Sequence, residues 1–316
     1  MTQELAIATH GLTKQFDRHI AVNDVDLHVQ VGEVFGLIGP NGAGKTTLIR
    51  MLAMAEQPTI GEIYINGERV LRDKDNAHVK RHLGYLPDDF PLYEDLTVWD
   101  YLDYFARLYR LRGNHRTQRL HEVLELVQLS HKRHDAIATL SRGMKQRLSL
   151  ARTIIHEPIL LLLDEPVSGL DPIARLQFRE IMKTLRDVGM TILISSHVLS
   201  DLAELCTSVG IMELGYLVES APLRELYQRL SRQQIVMTTL GSLDDLQGEL
   251  RHCPHVDEVE VMPAKSTLRV HFSGTPEAAA DLLRSLIHAS IPLTEFHCTH
   301  EDLETIFLKL GHKQAS

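Results

Sequence analysis

The chain has 316 residues, 44% of them hydrophobic and 24% charged, with a net charge of −9 and three cysteines. That length points to about two domains, each able to build its own core; the acidic balance argues against a general nucleic-acid surface, and the scattered Cys206, Cys253 and Cys298 argue against a disulfide framework. Apolar runs such as Ile159 to Leu163 fall far short of the roughly 20 residues that cross a bilayer, and residues 1–4 open no secretory pattern, so the expectation is a cytosolic protein.

In chain order, residues 4–8 and 21–29 alternate with a short period and read as antiparallel strands, punctuated by Gly11 and Gly32. Between them Phe16 stands in a polar stretch, either as an ordinary packing residue or as a ring that lies on an adenine. Val34 to Ile38 is an apolar strand that runs into Gly39, Pro40, Asn41, Gly42, Ala43, Gly44, Lys45, Thr46 and Thr47, and then into an apolar helical run from Leu48 to Met54. Strand, glycine loop and helix match the G-x-x-x-x-G-K-T pattern in the context that its chemistry needs. Glycines at 39, 42 and 44 let the backbone turn so that successive N–H groups converge on one anion at a helix N-terminus. The anion is expected to be a triphosphate. Lys45 would reach its β- and γ-phosphates, and the Thr46 hydroxyl would complete the coordination of Mg²⁺.

Gly61 to Gly67 alternates and closes in Asn66-Gly67, a hairpin signal that continues the N-terminal sheet. Leu83 to Pro87 reads as a buried strand ending in Asp88-Asp89. From about residue 90 to 160 the pattern turns helical: Thr97 suits an N-cap with Asp100 three residues on, and Val98, Tyr101, Leu102, Phe105 and Tyr109 share one face. That face packs a helical subdomain, and its aromatic end is a candidate for receiving a partner protein. Leu140 to Arg147, sequence LSRGMKQR, opens another helix. Ser141 suits its cap, and with the N–H of Gly143 and the helix dipole it would form a second anion site.

Ile159 to Leu163 lacks alternation and suits a central parallel strand; it ends in Asp164-Glu165. Ligands of open α/β sheets sit at the carboxyl ends of strands, so Asp164 is expected to hold the Mg²⁺ shell while Glu165 polarises an attacking water. Ser168 to Asp171 turns the chain, and Thr191 to Ser196 forms a further buried strand that delivers His197 to the γ-phosphate.

These motifs, in this order, resemble the ATP-binding cassette of ABC transporters over about residues 4–220; the segment from Leu140 to Gln146 distinguishes that family from other phosphate-loop ATPases. The resemblance implies an α/β fold with a phosphate-loop, RecA-like core, antiparallel β and helical subdomains, and hydrolysis of ATP with Mg²⁺. By resemblance Phe16 stacks on adenine and residues 39–47 form the Walker A loop. Asp164 and Glu165 are the Walker B aspartate and the catalytic glutamate. Ser141, Gly143 and Gln146 belong to the signature, Asp171 to the D-loop, and His197 is the switch histidine. Two cassettes, identical or of two kinds, would pair head to tail around ATP. Separately encoded transmembrane permease subunits would be the partners, which places the chain at the inner face of the membrane. Residues 84–87, residues 92–98 and the added C-terminal domain look like the ABC-2 type, used mostly for export. After Gly84-Tyr85-Leu86-Pro87 most relatives carry a glutamine; this chain has Asp88, an anion where a neutral ligand is usual and a candidate Mg²⁺ ligand through water. A soluble ABC ATPase acting on nucleic acid or the ribosome is the competing reading, disfavoured by the single cassette, the lack of sustained heptads and the acidic balance.

The cassette is expected to span residues 1–222, and residues 223–316 an accessory or regulatory domain. There the pattern reads strand 234–240, helix 243–251, strands 256–262 and 267–272, helix 276–288, strand 292–297 and helix 301–310, the βαββαβ order of a small α+β ferredoxin-like domain with one helix added. His252-Cys253-Pro254-His255 and His297-Cys298-Thr299-His300 offer soft metal ligands. The expected topology sets them some three strand spacings of ~4.8 Å apart, too far for one tetrahedral site.

Overall fold

The computed structural model describes residues 4–71, 76–197, 205–230, 233–251, 253–262 and 266–300. The chain divides into two compact units, Met1–Leu223 and Arg224–Ser316.

The first unit begins with β1 (Leu5–Phe16), which serves two sets of partners. Its first half pairs with β3 (His28–Gln30) and β5 (Ile60–Ile65), and its second half with β2 (His19–Val25), all antiparallel. Gly11, expected to end the strand, lies inside it at φ +57°, where the register shifts. A Cβ on Gly61 would meet the Gly11 carbonyl oxygen at 2.5 Å, so the two backbones cross through a bulge that tolerates only glycine there. Phe16 is therefore the last residue of a strand rather than part of a polar turn, and the single strand expected over residues 21–29 is two, β2 and β3. The Asn66-Gly67 turn, both residues at positive φ, joins β5 to β6 (Glu68–Arg69).

A six-stranded sheet forms the core. Its order is β11 (Tyr216–Pro222), β10 (Ser208–Glu213), β4 (Val34–Ile38), β9 (Thr191–Ser196), β8 (Leu160–Leu163) and β7 (Leu83–Leu86), parallel except for β11. Every residue of β4, β8 and β9 is buried, as befits strands covered on both faces. All carboxyl ends of the parallel strands point to one edge, which gathers the loops that follow β4, β7, β8 and β9. Helices α1 (Lys45–Leu52), α2 (Ala77–Arg81), α3 (Val98–Leu108), α4 (Gly113–Leu126), α5 (Arg142–Ile154) and α6 (Pro172–Asp187) complete this unit among the described residues.

The helical subdomain follows its expected pattern closely. The Thr97 hydroxyl accepts from the Asp100 N–H at 3.1 Å and donates to its carboxylate at 2.7 Å, capping α3. Val98, Tyr101, Leu102 and Phe105 are buried. Tyr109 lies just past the helix, 40% exposed, and its ring stacks on His156 at 4.0 Å between centroids. The Arg152 guanidinium lies between the rings of Phe90, at 3.9 Å, and Phe105, at 4.5 Å.

In the second unit the helix α7 (Leu223–Leu230) leads into β12 (Gln233–Thr239), α8 (Leu243–Leu250), β13 (Val256–Met262), β14 (Thr267–Phe272), α9 (Pro276–His288) and β15 (Leu293–His300). The sheet order is β13-β14-β12-β15 with every neighbouring pair antiparallel. Ile235, Met237, Leu268, Val270 and Phe272 on the sheet pack with Leu246 and Leu250 of α8 and Leu282 and Leu286 of α9. The helix expected over residues 301–310, the linker residues Ser231 and Arg232, and His252 lie outside the described residues. Val256, next to His255, belongs to one edge strand, while His297 and Cys298 belong to the other.

Candidate functional site

The loop from Gly39 to Gly44 leaves the buried end of β4 and turns into α1. Of its three glycines only Gly42 and Gly44 take positive φ, +83° and +103°. Gly39 is required for a different reason: a Cβ there would stand 2.4 Å from the Met212 carbonyl oxygen at the end of β10. Gly44 meets both constraints, since its Cβ would lie 2.3 Å from the carbonyl oxygen of Ala21. Gly44 is also the N-cap of α1, and no side chain caps that helix, so its first N–H groups stay available to an anion. Pro40 and Asn41 are exposed, Ala43 is buried and Thr47 half-buried.

Lys45 is only 5% exposed. Its ammonium donates to the carbonyl oxygens of Gly39 at 2.9 Å and Pro40 at 3.2 Å, and it lies 3.4 Å from Glu165 Oε1. Asp164, at 1% exposure, follows β8. Its Oδ1 accepts from Ser195 Oγ at 2.8 Å and from Thr46 Oγ1 at 3.2 Å, while its buried Oδ2 has no hydrogen-bond partner. Burial raises the carboxyl pKa; the two hydroxyl bonds pull it down, and the nearby charges of Glu165 and Asp88 push it up further. A buried carboxylate oxygen with nothing to accept from is a costly arrangement that a bound cation would satisfy. The donor set of Thr46 and Asp164 consists of hard oxygens, the chemistry that Mg²⁺ takes.

Glu165 holds a positive φ of 47°, rare for a side-chain-bearing residue, and its N–H donates to Ser195 Oγ at 2.9 Å. Its Oε2 lies 2.6 Å from Nδ1 of His197, which follows β9. Lys45, Thr46, Asp164, Glu165 and His197 are thus brought together from three adjacent parallel strands. Asp88 is exposed in the loop after β7, whose Leu86 pairs with Leu163. It acts on Asp164 through its charge. Phe16, 43% exposed, lies under the Lys14 ammonium at 4.7 Å and pairs with His19, two residues before the Ala21 that abuts Gly44.

Among the described residues no hydrogen bond or ion pair joins Ser141, Gly143 or Gln146 to residues 39–47. Ser141 caps α5 by accepting from the Met144 N–H at 3.3 Å. Gly143 is buried, not a flexible donor in a loop: a Cβ on it would stand 2.7 Å from Ala174 Cβ. Gln146 is half-buried. Asp171 caps α6, accepting from the Ala174 N–H at 2.9 Å, with Pro172 at the first helical position. One chain therefore carries two separate groups of candidate anion-binding residues.

Sequence reasoning missed Ser195. Its hydroxyl positions both carboxylate residues, and the signal was available: a hydroxyl at the end of a buried parallel strand, next to a strand that ends in Asp-Glu.

The fold and this constellation define a phosphate-loop ATPase. Residues 22–168 match the family model described as ABC transporter. The chain is 36% identical over 309 residues to the uncharacterized ABC transporter ATP-binding protein YxlF of Bacillus subtilis, covering 97% of this chain and 99% of that one. It is 34% identical over 313 residues to the bacitracin transport ATP-binding protein BcrA of Enterococcus faecalis, covering 98% and 97%. A solved ATP-binding subunit of an ABC transporter is similar at a TM-score of 0.63 and 30% identity, covering 78% of this chain and 99% of that one. The chain belongs to the family of ABC transporter ATP-binding subunits, which are ATPases that work with membrane permease subunits. Among the described residues no helix is long and apolar enough to cross a membrane.

Proposed function

We propose that this chain energises an ABC-2 type exporter from the cytoplasmic face of the membrane, two cassettes pairing head to tail around ATP. The observation that carries the reading is the convergence of Lys45, Asp164, Glu165 and His197 at the carboxyl edge of one parallel sheet.

The N–H groups at the start of α1 and the Lys45 ammonium would hold the phosphates, with Lys45 leaving the loop carbonyls and Glu165 that it now contacts. Thr46 and Asp164 would hold Mg²⁺, which supplies charge neutralisation on the phosphates. Glu165 accepts a proton from the attacking water, and His197, hydrogen-bonded to its Oε2, fixes the direction of that carboxylate. Ser195 keeps Asp164 and the Glu165 backbone in place. Phe16 would lie on the adenine, and Asp88 would tune the metal requirement. Ser141, Gly143 and the start of α5, with Gln146 and Asp171, would face the nucleotide of a partner cassette. Association around ATP and separation after hydrolysis is a population shift driven by differential nucleotide affinity.

Tyr93, Tyr104 and Tyr109 are exposed on the helical subdomain, where the ring of Tyr104 meets those of Tyr93 and Phe105, a surface suited to a permease segment. Export is the direction we favour because a similar chain, 30% identical over 305 residues, carries the name linearmycin resistance ATP-binding protein LnrL in Bacillus subtilis, and removal of a compound is one route to resistance. Residues 1–222 would form an autonomous cassette, and the C-terminal domain would modulate pairing. The test is co-expression with the permease that co-purifies with this chain, followed by fractionation and transport in inverted vesicles. Membrane association that depends on the permease and ATP-driven uptake into the inverted vesicles are expected. Association without the permease, or uptake without ATP, would contradict the reading.

A further inference from the structure

Arg142 stands at the first position of α5, between Ser141 and the buried Gly143. A cation there opposes the positive end of the helix dipole, and α5 has no acidic residue in its first turn. Among the described residues no carboxylate pairs with Arg142. Its guanidinium instead donates to the Ser168 carbonyl oxygen at 3.1 Å and lies against Gly169, at whose Cβ position three guanidinium atoms would stand within 2.5–2.7 Å. Gly169 takes φ +65°, so a side chain is excluded by the backbone as well as by the arginine.

From Ser168 a continuous set of hydrogen bonds leads to the phosphate loop. The Ser168 N–H donates to the Glu165 carbonyl at 3.1 Å, and the Glu165 N–H to Ser195 Oγ at 2.9 Å. Ser195 Oγ donates to Asp164 Oδ1 at 2.8 Å, which also accepts from Thr46 Oγ1 at 3.2 Å. The turn from Ser168 to Asp171 is fixed at its far end by the Asp171 cap on α6, and α6 and α5 are locked together where Gly143 meets Ala174.

We infer that Arg142 is a positioning residue that ties the start of α5 to the carboxylate loop of the same chain, so that occupancy of one phosphate site sets the readiness of the other. The inference rests on the head-to-tail pairing above, in which the α5 N-terminus faces the partner's nucleotide. With phosphates and Mg²⁺ held by Thr46 and Asp164, the Ser195 hydroxyl bonded to Asp164 would shift, and the Glu165 backbone and the Ser168 carbonyl that holds Arg142 would shift with it. The guanidinium suits the task because its plane lies flat on Gly169 while an edge N–H donates, a combination a lysine ammonium cannot reproduce. Coupling through such networks is typically worth a few-fold to about thirtyfold.

The test uses full-length chain in the non-hydrolysing Glu165→Gln background, which leaves the Glu165 backbone bonds intact. Light scattering gives the ATP concentration for half-maximal dimer, and a fluorescent ATP analogue at protein concentrations below dimerisation gives the affinity of the single chain. Arg142→Ala is expected to raise the half-maximal ATP concentration about three- to thirtyfold while leaving single-chain affinity within about twofold. Arg142→Lys should not rescue. In a Ser195→Ala background Arg142→Ala should add nothing, because the path is already cut. Independent, multiplying effects of the two substitutions, rescue by lysine, or a loss of single-chain affinity would each overturn the relay. Absence of any ATP-dependent dimer in the Glu165→Gln parent would overturn the pairing itself, a failure distinct from that of Arg142.

Discussion

Gly143 and Ala174 approach so closely that a Cβ built on the glycine would lie 2.7 Å from the alanine Cβ. The contact joins α5 to α6 with no room for a methyl group. Gly143→Ala is expected to destabilise the cassette by about 1–3 kcal/mol through overpacking, despite alanine's better helix propensity. Ala174→Gly in the same chain should restore most of the loss. Denaturant midpoints of the two single variants and the double variant measure it; additive losses would mean that the two positions do not meet.

The half-buried His156 provides a pH dependence. A carbonyl oxygen only accepts, so the 3.1 Å contact with Leu83 puts the proton on Nε2 and leaves buried Nδ1 as a bare lone pair. Burial lowers the pKa to about 4; the hydrogen bond to Leu83 opposes the shift, and the positive charges of Arg119 and Arg152 reinforce it. Between 6.5 and about 4 the unfolded chain takes up a proton that the folded chain refuses, so this contribution to stability is lost as pH falls through that window and is complete above it. Between pH 7 and 5, wild type should lose about 2 kcal/mol more stability than His156→Phe. Parallel curves for the two proteins would contradict the assignment.

Asp164 is a buried charge whose Oδ2 has no partner. Without nucleotide, Asp164→Asn removes the cost of burying that charge and should stabilise the chain by about 1–2 kcal/mol. With Mg-ATP the order should reverse, because the wild type alone gains the ligand-induced increase in melting temperature. Equal increases in both proteins would remove Asp164 from the metal site.

Asp88 raises the Asp164 pKa through its charge while standing exposed at the carboxyl edge of the sheet. Asp88→Gln and Asp88→Ala should therefore shift the Mg²⁺ concentration for half-maximal ATPase by about two- to fivefold relative to wild type. Superimposable Mg²⁺ titrations would mean that Asp88 has no part in the site.

The candidate site was legible in the sequence because its residues sit in short contiguous motifs placed by buried strands. The all-apolar run before Asp164-Glu165 could only be a covered parallel strand, and the carboxyl-end rule then located the site. What escaped was set by contacts between distant segments. Gly39 reads as a turn residue but is held by the backbone of Met212, and Gly143 reads as a flexible donor but is a packing contact with Ala174. Ser195 acts across strands, so what marks it is its place at the end of a buried strand beside the one that ends in Asp-Glu, which the sequence shows only once the two strands are paired. The long β1 was read as shorter because the Gly11 bulge depends on distant segments, the close crossing with Gly61 and the bond from the Gly11 N–H to the Asp26 carboxylate.

The most direct measurement is phosphate release by the purified full-length Glu165→Gln chain at saturating Mg-ATP, alongside its equilibrium affinity for ATP. With Glu165 as the group that takes the proton from water, steady-state turnover should fall about 10²- to 10⁴-fold while ATP affinity is retained or increased. Turnover near the wild-type rate with ATP bound would contradict the account.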